Sequence, residues 1–284
     1  MKRFNRYICL GILLVFSGFC LLGALELELT AGVNQMTFQP SGPPGGLYFS
    51  EFTPYPFIIG SFNLKNEISG SMSYKISLER DNILQNSLDF RFMARTDFFR
   101  VEFGPFIGVN DDFWQKPDVP EIGVLGSMEF SMPGIFFFSI SVSATLGTKY
   151  DLLSNNFRET SGAKIGFWLP YVLTTFSVNT KSYTTEHSGE RLLRCEASAE
   201  IYHKNFPVIF SVNGGYQMLS RITDISEDLT SFFAGFGINI RLAPSFRILA
   251  GAEIPFLLKS DTMIVPGDFW KMFKAYAGVS YTFF

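Results

Sequence analysis

The stretch Lys271–Phe284, KMFKAYAGVSYTFF, has the two-residue period of a strand with unlike faces. Successive side chains of an extended chain point to opposite sides, so Phe273, Ala275, Ala277, Val279, Tyr281 and Phe283 share one face. Lys274, Gly278, Ser280 and Thr282 share the other. One face suits lipid and the other water. Every backbone N–H and C=O in a bilayer must be paired, so such a strand is expected only inside a closed barrel.

Within the stretch, Gly278-Val279-x-Tyr281-x-Phe283 resembles the closing-strand signature of bacterial outer-membrane β-barrel proteins. Family members end where Phe283 stands, and this chain adds Phe284. The resemblance implies a place in the outer membrane of a diderm bacterium. It also implies delivery by the outer-membrane assembly machinery, which would read Gly278, Tyr281, Phe283 and Phe284.

The other end of the chain fits that route. Lys2, Arg3 and Arg6 precede an apolar run from Tyr7 to Leu22 that closes on Gly23 and Ala24, the layout of a secretory signal peptide. Residues 1–24 are read as the signal, cut after Ala24, and 25–284 as a single barrel. The run is short for a membrane anchor, and bulky Phe19 before Cys20 argues against lipidation.

Composition agrees. The chain is 47% hydrophobic and 17% aromatic, with 33 Phe, yet no later run approaches the roughly 18 apolar residues of a spanning helix, so the apolar content is spread by alternation. Cys9 and Cys20 fall in the signal and Cys195 stands alone, which leaves no internal disulfide. A formal charge of −3 argues against nucleic acid, whose phosphates need a basic footprint.

The alternation recurs along the chain. Leu25 to Val33 opens it as a strand, leaving no room for a plug segment ahead of it. Pro40 to Gly46 breaks regular structure, and a weakly alternating strand near Phe57 to Leu64 follows. Ile68 to Leu78, Leu88 to Ala94, Val101 to Val109, Ile122 to Phe130 and Phe136 to Leu146 are clearer. Pro105 lacks an N–H for the ladder and predicts a bulge or early strand end. The second half reads as strands over Ala163 to Leu169, Val172 to Val178, Leu193 to Ile201, Val208 to Tyr216, Phe232 to Ile240 and Phe246 to Ile254. Loops are expected over Asp81 to Asn86, Asn110 to Pro120, Thr148 to Glu159, Ser182 to Gly189, Leu219 to Leu229 and Pro255 to Asp268.

The expected fold is therefore all-β: a transmembrane, antiparallel, up-and-down barrel of about fourteen strands, twelve being the other count the pattern allows. Short periplasmic turns alternate with longer external loops. Phe98, Trp168, Tyr171 and Phe246 are assigned to an aromatic girdle at the turn side, and Trp114, Tyr150, Tyr183 and Trp270 to one at the loop side. A soluble all-β protein would show the same alternation with its apolar face packed inward.

With apolar faces on lipid, charged residues line the lumen: Lys75, Glu79, Asp89, Arg91, Arg95, Arg100, Glu102, Glu129, Lys164, Arg194, Glu196, Glu200, Arg241, Arg247, Glu253 and Lys274. Opposite charges on neighbouring strands, such as Asp89 with Arg100 or Glu253 with Arg241, are expected to pair. Eight strands fill a barrel interior and sixteen leave a channel, so fourteen predict a narrow one. In length, strand count and missing plug the chain is similar to small monomeric porins, which implies a monomer passing small hydrophilic solutes.

A closed structural or adhesin-like barrel is the plainer alternative. A hydrophobe transporter of the fatty-acid type is another, although that family is longer and carries an N-terminal plug. No enzyme, cofactor or metal site is expected. Only His187 and His203 are present, neither with a carboxylate at dyad spacing, and Asp111 and Asp112 stand in a loop without a His. Cys195, alone and predicted to face lipid, offers no metal cluster.

Overall fold

In the computed structural model, residues 24–34, 40–41, 48–49, 55–66, 70–79, 82–110, 121–145, 157–184, 189–203, 206–222, 226–260 and 273–283 are described. They form sixteen strands: β1 (Ala24–Asn34), β2 (Pro40–Ser41), β3 (Tyr48–Phe49), β4 (Tyr55–Asn66), β5 (Gly70–Glu79), β6 (Asn82–Arg95), β7 (Phe99–Asn110), β8 (Glu121–Met132), β9 (Phe136–Thr145), β10 (Phe157–Trp168), β11 (Val172–Thr184), β12 (Gly189–His203), β13 (Phe206–Ile222), β14 (Ser226–Ala243), β15 (Phe246–Lys259) and β16 (Lys274–Phe283). Residues 1–23 of the expected 1–24 signal lie outside the described residues, as do Asp111, Asp112, Trp114, Tyr150, His187, Trp270 and Phe284, while Ala24 opens β1.

Fourteen of the strands close a barrel and β2 pairs only with β3. Each barrel strand is antiparallel to its sequence neighbour, and β16 returns to β1 over ten register pairs from Leu25 with Phe283 to Asn34 with Lys274. Closure leaves no sheet edge with unpaired backbone groups.

Directly paired residues share a face, and parity holds around the whole ladder. Glu28 opposes Ser280 and Ser61, Ser61 opposes Lys75, and Glu253 opposes Gly235 and Lys274. By that count the sixteen charged positions expected for the lumen fall on one face of the ladder, taken below as the inner one, and the apolar positions of the alternation fall on the other. The outer face is apolar and bare. Phe103, Val142, Phe176, Val212 and Phe236 are all at least half exposed. Among the described residues, the hydrophobic side chains buried in the structure are Leu229 and Phe233. A soluble barrel or sandwich would bury the first set, so that alternative is set aside: an exposed apolar belt of this extent needs a covering.

Local chemistry sets the turns. Pro133 and Gly134 occupy the two central positions of a tight turn, with Gly134 at φ 79° and the Ile135 N–H donating to Met132 O at 3.0 Å. Pro presets the first position, and Gly tolerates the positive φ of the second. At the β6–β7 turn the Thr96 side-chain oxygen accepts from the Phe99 N–H at 3.1 Å.

The strands run further than polarity predicts. β6 starts at Asn82, inside the expected 81–86 loop, and β13 and β14 pair out to Ile222 with Ser226, through most of the expected 219–229 loop. β11 likewise continues to Thr184. β15 passes Pro255 by a register shift between Phe232 and Phe233 of β14 and reaches Lys259. A bulge lets the strand absorb a residue that has no N–H to donate. At Pro105 the strand neither ends nor slips. The β6–β7 ladder skips Phe90 and Arg91 and resumes in the same register from Phe92 with Phe103.

Candidate functional site

The inner wall is the candidate site, and its charges gather into two networks. On β6 and β7, Arg91 donates through Nε to Asp89 Oδ2 at 2.8 Å and approaches Glu102 Oε2 through Nη1 at 3.4 Å. Arg100 holds Glu102 Oε1 through both Nη2 and Nε, the latter at 2.9 Å. Ser127 of β8 reaches Glu102 Oε2 at 3.5 Å. Glu102 is thereby pressed against the wall at 5% exposure. Replacing Glu102 with Ala is expected to lower stability by about 1 to 3 kcal/mol through lost charge-assisted hydrogen bonds, as read from urea midpoints of refolded protein. Ser127→Ala should change them little.

The second network spans four strands. Arg194 of β12 binds Glu196 Oε2 through Nη2 at 2.8 Å. It also grips both oxygens of Glu253 on β15, at 3.1 Å from Nη1 and 2.7 Å from Nη2. Its guanidinium stacks on the Phe233 ring 3.8 Å from the centroid, and Asn213 Nδ2 donates to Glu196 Oε1 at 3.4 Å. The Arg reaches β15 because the inner positions it crosses on β13 and β14 include Gly215 and Gly235. The expected pairs are not the ones formed. Arg100 takes Glu102 rather than Asp89, and Glu253 takes Arg194 rather than Arg241. Partners two residues along a strand lie on the same face within easy reach, and a flat glycine floor lets a long side chain bypass its neighbours.

Four aromatics on the inner face follow one rule. Phe106, Phe137, Phe233 and Tyr276 each stand directly across the ladder from a glycine: Gly123, Gly166, Gly215 and Gly251. A Cβ on Gly251 would come within 2.6 Å of Tyr276 Oη, and one on Gly215 within 2.9 Å of the Phe233 ring. The rings therefore lie against the wall in space that a side chain would otherwise fill. Trp168, assigned above to the outer girdle, shares that face without a glycine opposite, its partner being Leu173. By register it faces inward, and its ring is 5.1 Å from that of Phe137.

Between the two networks, β9 to β11 present hydroxyl and amide groups. Ser143 and Thr160 share a hydrogen bond of 2.6 Å, as do Thr175 and Ser198. Ser141, Asn179 and Lys164 are exposed on this sector, and Lys164 Nζ lies 5.6 Å from the Phe137 centroid. Arg95, Arg241 and Arg247 sit at the turn end, Glu129 and Glu200 a few residues above it, and Lys75, Glu79 and Lys274 hold inner positions in the ladder. Cys195 falls on the outer face, paired with Val178 and Tyr216. His203 lies at the turn end, stacked on Tyr171 with centroids 5.4 Å apart. Glu26 and Glu28 occupy inner positions that the sequence reading passed over, although they alternate with Leu25, Leu27 and Leu29.

A similar architecture occurs in an outer-membrane channel from Pseudomonas putida F1, with TM-score 0.53 and 8% identity over 92% of this chain and 96% of that one. The fold is that of an outer-membrane β-barrel. OmpT of Vibrio cholerae (TM-score 0.48, 10% identity, 92% and 96% coverage) and OmpF of Salmonella typhi (0.47, 10%, 92% and 97%) are further matches to the barrel. No protein-family model matches the chain, and no curated protein sequence does.

Proposed function

We propose that the barrel is an outer-membrane channel through which small hydrophilic solutes diffuse passively. The carrying observation is that both ionic networks lie along the wall. The β6–β7 network and the β12–β15 network are separated by four strands in either direction around the barrel, and no ion pair among the described residues joins one to the other. The inner aromatics lie over their glycines along the same wall, which supports this reading.

On this reading residues 1–24 are a cleaved signal peptide, β16 carries the contact with the assembly machinery, and the barrel works as a monomer with lipid around it. The sixteen lumen charges comprise nine basic and seven acidic residues, a near balance of sign. A fixed charge of one sign, in excess, is what selects ions, so modest selectivity follows. Purified protein in a planar bilayer is expected to give a small, steady conductance with a reversal potential near zero under a salt gradient. A strongly ion-selective current would overturn the lumen assignment, and silence from folded protein would favour a closed, structural barrel.

A further inference from the structure

Arg241 and Arg247 stand directly opposite each other on the inner face, at the turn between β14 and β15. Like charges across a ladder repel, and the fold neutralises the other such pair. Arg95 opposes Arg100, and there Glu102 binds Arg100. Among the described residues no carboxylate reaches Arg241 or Arg247.

The two guanidiniums line a cavity of about 450 Å³ together with Asn239, Tyr202, His203 and Pro207. Tyr202 is already engaged, its hydroxyl donating to Leu169 O at 3.0 Å, and His203 stacks on Tyr171. Arg241, Arg247 and Asn239 thus bring two guanidinium forks and an amide to the cavity lining, beside the His203 imidazole. Guanidinium N–H pairs match the oxygens of phosphate and carboxylate, and a doubly charged oxyanion would cancel the repulsion between them.

We propose that this cavity is an oxyanion site at the periplasmic mouth that takes the phosphate group of a solute. The assignment of the turn end to the periplasm rests on the channel reading above, but the binding test needs no current. Pyrophosphate would be titrated calorimetrically into protein refolded in zwitterionic detergent. The expected result is saturable binding near one equivalent, weakened tenfold or more in Arg241→Gln and again in Arg247→Gln, and unchanged in Lys164→Gln, which removes an inner-wall cation elsewhere. Heat-modifiable gel migration checks that each variant is folded.

Absence of saturable binding by folded protein would overturn the site, as would equal weakening in Lys164→Gln. A second arm places the barrel in vesicles with and without phosphatidylglycerol. Loss of pyrophosphate binding only with the anionic lipid would assign the cavity to a headgroup phosphate and overturn the solute reading. Retained binding in a barrel that passes no current would leave the site standing and remove the channel.

Discussion

Phe236→Arg is expected to destabilise the barrel by about 2 to 4 kcal/mol, the cost of a cation on the lipid face near the midplane. Phe236 is 62% exposed and pairs with Val212 and Ala252, both on the outer face. It stands eight residues from the β14–β15 turn at Pro244, midway along β14. In water such an exposed position would accept Arg at almost no cost. Ser141→Arg, on the opposite face of β9, should cost far less because the new side chain enters the lumen. A urea titration of refolding into lipid vesicles separates the two. Equal destabilisation would overturn the facing assignment for the whole barrel, since the ladder fixes the parity of every strand.

The second large effect concerns closure. Deleting Phe283 and Phe284 is expected to leave export intact and to abolish the stably inserted form. β16 is the strand that joins β15 to β1, and Phe283 is its last paired residue, opposite Leu25. Truncation shortens the seam and removes the aromatic end that resembles the assembly signature. Surface protease accessibility and heat-modifiable migration report the outcome. A truncated chain that still forms barrels at the full-length level would show that the seam closes without that end.

The strand pattern was legible because lipid on one side and water on the other enforce a two-residue period in every spanning segment, as in Phe136 to Leu146. Strand ends were not, because polarity marks the water boundary and not the end of hydrogen bonding. Ser220 with Asp228 and Leu219 with Leu229 stay paired in a stretch that reads as a loop. Inner charges were legible as a set but not as pairs. Arg194 with Glu253 depends on glycines one and two strands away that only the register brings beneath it. Trp168 misled for a related reason: an aromatic at a strand end suits either a lipid interface or the inner wall, and its side depends on parity with Leu173.

The aromatic rings laid over glycines bear on how such a barrel finds its correct alignment. A strand that slips by two residues keeps its lipid and water faces, so hydrophobicity alone does not penalise the error. The four rings do. Slipped by two, Phe106 would meet Glu121 or Leu125, Phe137 would meet Lys164 or Trp168, Phe233 would meet Asn213 or Gln217, and Tyr276 would meet Leu249 or Glu253. None of these is a glycine, and each would lift the ring off the wall. Four seams of the cylinder, β7–β8, β9–β10, β13–β14 and β15–β16, thus carry a proofreading key that admits one alignment and rejects its nearest face-preserving neighbours.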